Sequence, residues 1–280
     1  MINRKDIYRK IKRTSVLCFM TCMLMGVTAY SQKKDTLSLI REFATVSSSY
    51  KQMPMYLEME MKNTADFITG EEDTMSVSGV FYLTQGGSYV RFGEFEQVVN
   101  DTMALLVSDT MKRMIIYPDA ATVVNQMRKM MGGTLPDSSV KMLSARYTAE
   151  KKTDGLGNTV LFLKSRMLIY GTGLPKETIE LVYDSKAKLP KQVRTTRKIL
   201  IVSDDEQYTA WQQDPALAEK LITADGKHFL VKELSTVYDY RKIEYTDVKV
   251  PVGVTDRVTR MEDGSYQPVK NYQGYIVTMN

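Results

Sequence analysis

The residue types that carry most protein chemistry are scarce in this chain. Its 280 residues include one histidine, His228, and two cysteines, Cys18 and Cys22. His228 stands between Lys227 and Phe229 at a strand start. A catalytic imidazole needs a nucleophile or an orienting carboxylate held against it; a lone His in this setting reads as a surface side chain. Ser203-Asp204-Asp205-Glu206 clusters carboxylates but lacks the regular spacing of a calcium loop; it reads as a solvated turn. Glu58 and Glu60 lie two apart beside Lys62, which places them together on the outer face of a strand. There is no G-x-S-x-G, no P-loop and no G-x-G-x-x-G after a strand. The chain is therefore expected to be no enzyme, with no catalytic residue, metal site or cofactor.

The N-terminus removes what little reactive chemistry there is. Arg4, Lys5, Arg9, Lys10, Lys12 and Arg13 face a single acid, Asp6, ahead of an apolar run from Val16 to Val27 and then Ala29-Tyr30-Ser31. A basic start, a short apolar middle and small residues near a cut site define a secretory signal peptide. The run is shorter than the roughly 20 residues that span a bilayer. Residues 1–31 are expected to be cleaved, leaving 32–280 as a periplasmic protein. Six of the 38 basic and one of the 33 acidic residues leave with the leader, so the formal net charge falls from +5 to zero, and nothing argues for a nucleic-acid partner. Both cysteines leave as well, which excludes disulfides, thiol nucleophiles and Cys/His zinc sites in the mature chain. Cys18 follows Val-Leu and Cys22 follows Met-Thr, without the small residue that precedes a lipidated cysteine.

The remaining elements must build a surface rather than an active centre. Leu37, Ile40, Phe43 or Ala44, and Tyr50 recur at helical spacing over 35–51, with Asp35 or Thr36 as cap and Pro54 beyond the end. The period then switches to two. Met55, Leu57, Met59 and Met61 alternate with Tyr56, Glu58, Glu60 and Lys62, and Met75, Val77, Gly79, Phe81 and Leu83 repeat the alternation. Short strands at 89–92, 95–99, 103–107 and 111–117 continue as an antiparallel meander. Pro118-Asp119 opens a helix to Met131, whose Val123, Val124, Met127 and Met131 form one apolar stripe before Gly132-Gly133. Hairpins follow at 147–164 and 178–200, then a polar stretch 201–226 with a short helix over 215–222, then strands at 229–234, 236–246 and 275–279. Trp211, in the polar stretch, is expected to pack onto the sheet.

Of the 19 methionines, Met1, Met20, Met23 and Met25 belong to the leader, and eleven of the other 15 lie between Met53 and Met131. Met side chains are flexible and polarizable, and suit apolar surfaces that must adapt. One reading is an ordinary Met-rich core. The other is an adaptable apolar cavity under a helical lid, lined by Met55, Leu57, Met59, Met61, Met75, Val77, Phe81, Leu83, Val123, Val124, Met127 and Met131.

The order of elements, with Gly79-Val80-Phe81-Tyr82-Leu83-Thr84-Gln85-Gly86-Gly87-Ser88-Tyr89-Val90-Arg91-Phe92, then Val107-Ser108-Asp109-Thr110, then Ile115-Ile116-Tyr117-Pro118-Asp119, resembles the LolA-like periplasmic lipoprotein carriers of Gram-negative bacteria. Ile179-Glu180-Leu181-Val182-Tyr183-Asp184 with Leu189-Pro190-Lys191 is similar to the second-half hairpin of that family. The resemblance covers roughly 35–200. Gly86-Gly87 stands where the family has a Pro-containing turn, Gln85 where a basic residue is usual, and Thr110 where Gly is usual. The resemblance implies a mainly β (α+β) fold, a single strongly curved antiparallel sheet forming an open half-barrel, with helices over its concave face. It also implies a carrier that shelters the acyl chains of a lipoprotein or lipid and docks with inner- or outer-membrane proteins. The alternative is an envelope sensor or assembly module that binds a protein partner through the same fold, since fold does not fix function.

Overall fold

The computed structural model describes residues 36–48, 52–119, 136–169, 172–246 and 248–280. The expected leader 1–31 lies outside them, as do Val123, Val124, Met127 and Met131 of the expected lid helix. The strands are β1 (Met55–Ala65), β2 (Ser76–Leu83), β3 (Ser88–Phe92), β4 (Phe95–Val99), β5 (Ala104–Ser108), β6 (Arg113–Tyr117), β7 (Tyr147–Thr153), β8 (Thr159–Ser165), β9 (Glu177–Tyr183), β10 (Pro190–Ser203), β11 (Leu221–Ala224), β12 (Lys227–Glu244), β13 (Val258–Arg260), β14 (Tyr266–Pro268) and β15 (Ile276–Met279). The α-helices are α1 (36–48), α2 (Asp137–Arg146), α3 (Asp205–Gln213) and α4 (Pro215–Ala218).

One sheet runs in the order β15-β6-β5-β4-β3-β2-β1-β12-β10-β9-β8-β7, with β11 added against β12. Its ends, β15 and β7, do not meet, so it is an open, curved sheet rather than a closed barrel. Neighbours are antiparallel except β15, which returns to lie parallel to β6. β13 and β14 form a separate small hairpin.

Because side chains alternate along a strand, register traces each face across the sheet. Met55, Leu57, Met59 and Met61 lie opposite Leu83, Phe81, Gly79 and Val77. The same face continues through Val90 and Phe92, then Gln97 and Phe95, then Leu106 and Ile115. In the other direction it passes from Met61 to Tyr238, Val193, Leu181 and Leu161. Here α1 covers it. Leu39 and Val46 pack with Leu161, Leu181 and Tyr183, while Ile40 and Ala44 pack with Leu163, Tyr147 and Val140 of α2. Glu42 of α1 is pinned by the Tyr183 hydroxyl and by Lys151 Nζ at 2.9 Å. Burial alone would raise the Glu42 carboxyl, but those donors outweigh it and hold the group below its ordinary value.

The opposite face of β3–β6 has its own cover. Tyr89, Val98, Leu105, Val107, Met114 and Ile116 pack against Val254 and Val258. The segment from 248 onward therefore lies on the sheet rather than trailing from it. Arg257 clamps it there, with Nε 2.5 Å and Nη2 3.0 Å from the two Glu96 carboxylate oxygens. The Tyr89 hydroxyl donates to Glu96 at 3.1 Å.

Four local expectations need correction: the exposure of Glu60, the Ser203–Glu206 turn, the 215–222 helix and the division of the strand over 229–246. Glu58 and Glu60 do lie on the face opposite Met59, but Glu60 is buried under Arg241, Lys62 and Ser76. A bulge causes this: the register slips between Glu58 and Met59, and Arg241 is the extra residue on β12. The Ser203–Glu206 cluster is a helix start, since the Asp204 side chain accepts from Gln207 N at 2.8 Å and so caps α3. The stretch 201–226 is the tip of a long β10–β12 hairpin carrying α3, α4 and β11; the helix expected over 215–222 ends at Ala218, and the strands expected at 229–234 and 236–246 are one. His228 stacks on Tyr208 of α3 at 3.8 Å, and its Nδ1 lies 3.0 Å from Thr223 Oγ1; it fastens this tip. Trp211 of α3 is half-buried.

A buried ion pair joins β12 to the β1–β2 connection. Asp73 lies 2.5 Å from Lys232 Nζ and accepts the backbone N–H groups of Thr69 and Gly70 at 2.6 and 3.1 Å. Lys232 first, then the Thr69 amide, hold the Asp73 carboxyl at about 2, against an ordinary 3.8. A carboxyl depressed on folding contributes stability above its unfolded value and loses it as pH falls through the folded one. Asp73→Asn should therefore be less stable than the parent at neutral pH, with the gap closing as pH drops from about 4 to 2. Urea unfolding at several pH values checks this; a gap that stays constant over that window would contradict it.

Candidate apolar binding groove

Among the described residues, the face that α1 buries at one end is open at the other. Over β3–β6 it forms a groove of about 350 Å³ lined by Val90, Phe92, Phe95, Leu106, Met111 and Ile115, among others. That lies at the lower end of the volumes typical of small-molecule sites. Phe95 is 52% exposed and Met111 62%. Large apolar side chains left open together mark a surface that meets another apolar body.

Local structure explains how these residues come together. β3 and β4 are joined by a tight turn in which Gly93 has a φ of +60°, a conformation glycine adopts without steric penalty. The turn sets Phe92 directly opposite Phe95. Gly79, on the neighbouring strand, leaves room for Phe92: a Cβ there would sit 2.6 Å from the Phe92 ring. The ring instead lies beside Phe81, with centroids 6.5 Å apart. At the other wall, the Ser108 hydroxyl accepts the Met111 backbone N–H at 3.2 Å, shaping the β5–β6 turn. The Tyr275 hydroxyl donates to Asp109 at 2.8 Å, and Lys112 Nζ donates to that hydroxyl at 3.2 Å, tying the turn to the C-terminal segment.

The groove has little polar character. Arg113, Gln97 and Ser108 are the polar side chains that register places on this face, while the Glu96 carboxylate is held by Arg257 and Tyr89. The arrangement supplies apolar contact and a single cation at one end. Among the described residues, no cluster of His, Cys, Asp and Glu has the makings of a metal site, and no helix is long and apolar enough to cross a membrane.

The expected cavity residues share this face but occupy the next strands. Met55, Leu57 and Leu83 form a buried cluster, with Met59, Phe81, Val90 and Tyr240 packed around it. Met61 and Val77 are half-buried one rung further along, and Met75 is exposed just before β2. Val90 belongs to both the cluster and the groove wall. Phe95, Leu106, Met111 and Ile115 escaped the sequence reading, which followed clean alternation. Their signal is different: β5 and β6 are apolar on both faces, with Leu105 and Ile116 in the core and Leu106 and Ile115 in the groove.

No protein-family model and no curated protein matches the sequence. Solved structures to which the fold is similar include MucB, at 10% identity and a TM-score of 0.32, the match covering 78% of this chain and 61% of MucB. The chain thus spans about three fifths of that protein's length. A LolA superfamily protein from Nitrosomonas europaea matches at 8% identity and a TM-score of 0.25, over 76% of this chain and 94% of the other. A domain named for outer membrane lipoprotein sorting, from Vibrio parahaemolyticus, matches at 11% identity and a TM-score of 0.21, over 80% and 96%.

Proposed function

We propose that the mature chain is a non-enzymatic periplasmic carrier that shelters the acyl chains of a lipoprotein or lipid on the apolar face between β1 and β6. The observation that carries this reading is the groove, whose exposed Phe95, Leu106 and Met111 continue the face that α1 buries elsewhere. Each buried CH₂ of an acyl chain contributes about 0.8 kcal/mol, so a chain of ordinary length has ample reason to enter. Met59, Met61 and Met111 on or beside the path can repack around an empty or a filled site. Inner- or outer-membrane docking proteins are the natural partners of such a carrier. Native mass spectrometry of protein purified from its own envelope tests this. The expected spectrum shows mass additions of lipid size that organic extraction removes; protein of bare polypeptide mass alone would count against it.

A second reading, a sensor or assembly module that binds a protein segment, draws on one observation. β15 is the end strand of the sheet and leaves Ile276 and Met279 exposed, and an open strand edge is suited to pairing with an extended peptide. Stable association with an envelope protein through β15, without any lipid addition, is the result that favours it.

A further inference from the structure

We infer, on the reading of the groove as an acyl site, that it takes a single acyl chain ending in an anionic head group, a carboxylate or a phosphate, and that Arg113 and Ser108 receive that group. Register divides the groove face into rows that run across the strands. The rim row holds Phe92, Phe95, Ser108 and Arg113. The next row holds Val90, Gln97, Leu106 and Ile115. In the row beyond, Val99 lies opposite Ala104 and both are buried, so the groove closes inward and opens at the rim. A chain with one polar end enters such a groove tail first and leaves its head at the rim. The volume of about 350 Å³ is small for a ligand site and suits one chain rather than the two or three of a larger lipid.

The rim offers that head a cation and a hydroxyl. Arg113 is exposed on the groove wall, and among the described residues no carboxylate lies within ion-pair distance of it. The acids of this rim are placed otherwise. Asp109 takes Arg91 at 3.4 Å and the Tyr275 hydroxyl at 2.8 Å, Glu96 is held by Arg257 at 2.5 Å, and Glu94, in the β3–β4 turn, makes no ion pair with Arg113. Ser108 is the direct cross-strand partner of Arg113, close enough for the two side chains to meet one group. Ser108 is buried, and its oxygen accepts the Met111 N–H, which leaves the hydroxyl proton to be donated. A guanidinium presents a planar fork that matches the paired oxygens of a carboxylate or a phosphate, and such charge-assisted bonds are about twice as strong as neutral ones. A neutral head group would leave the cation without a counter-charge.

Isothermal titration calorimetry of the purified protein tests this with four amphiphiles of one chain length: laurate, dodecyl phosphate, monolaurin and dodecyltrimethylammonium, each below its micelle concentration. The two anions should bind at least about tenfold more tightly than neutral monolaurin, and the cationic amphiphile should bind most weakly. Arg113→Gln should bring the anions down to the affinity of monolaurin. Arg113→Lys, which keeps the charge but loses the fork, should retain part of the preference. Arg166→Gln, which removes an exposed cation toward the other end of the sheet, should retain all of it. Both positions are exposed, and circular dichroism confirms that the variants fold. A preference for either anion bears the inference out, and the tighter of the two identifies the head group. Equal binding of both anions and monolaurin would overturn it, as would a preference that survives Arg113→Gln or vanishes in Arg166→Gln. In each of those cases monolaurin still binds and the acyl reading of the groove stands, whereas binding of none of the four would overturn both.

Discussion

Leu106→Glu combined with Phe95→Glu should reduce the affinity for a fluorescent acyl chain at least about tenfold while the protein still folds. Both side chains lie open on the groove face, so the new carboxylates remain hydrated in the empty protein. A bound chain would strip water from them, and an unpaired charge is expensive to desolvate. The other face of the same strands, where Val98, Leu105 and Val107 form the core, is untouched. Fluorescence titration of parent and variant, with far-UV circular dichroism as the folding control, reads the effect directly. Equal binding by a folded variant would mean that the chain sits elsewhere, and the groove would lose its role.

Arg257→Met should cost about 3–5 kcal/mol of stability, the range for breaking a buried ion pair from one side. Glu96 is buried, and Arg257 supplies both of the charge-assisted bonds it receives. Without the guanidinium, the carboxylate keeps, among the described residues, the Tyr89 hydroxyl alone. The C-terminal segment would also lose its clamp, along with the stacking of Arg257 over the Tyr272 ring at 4.9 Å. Glu96→Gln in the same chain should recover much of the loss, because the penalty arises from an uncompensated charge rather than from the missing bonds. Urea unfolding of the two variants measures this. A cost below about 1 kcal/mol for Arg257→Met would place the pair in the class of solvent-screened surface bridges and remove it as the clamp.

The parts of this fold that were legible in the sequence are those where one face is apolar and the other charged. β1 is the clearest, since Met55 and Leu57 alternate with Tyr56 and Glu58 and the register follows. α1 was equally readable, because Leu37, Ile40 and Ala44 recur at helical spacing and all meet the core. α2 escaped because Val140 is its only buried side chain while Met142 is exposed; such a helix leaves almost no periodic signal. The C-terminal cover escaped for another reason. Its contribution rests on long-range pairing, Arg257 with Glu96 and Val254 with the β4–β6 core, and no local pattern encodes a partner some 160 residues away. The Arg241 bulge and the burial of Glu60 share that origin.

The groove was half legible. The alternation in the sequence marks an apolar face on β1 and β2, and the groove lies on the continuation of that face over β3–β6. Alternation identifies a half-buried strand; it does not say which part of the buried face remains uncovered, because that depends on how far α1 and its neighbours extend over it. β5 and β6 are apolar on both faces, and one of those faces lines the groove while the other fills the core.

The most direct measurement of the account is photo-crosslinking with an acyl chain that carries a diazirine, followed by peptide mapping of the labelled residues. Labels are expected on the groove wall, at Phe95, Leu106, Met111 and Ile115, and an excess of unlabelled lipid should suppress them. Labels scattered over exposed apolar positions such as Leu156 and Met261, undiminished by competitor, would contradict the groove as the acyl site.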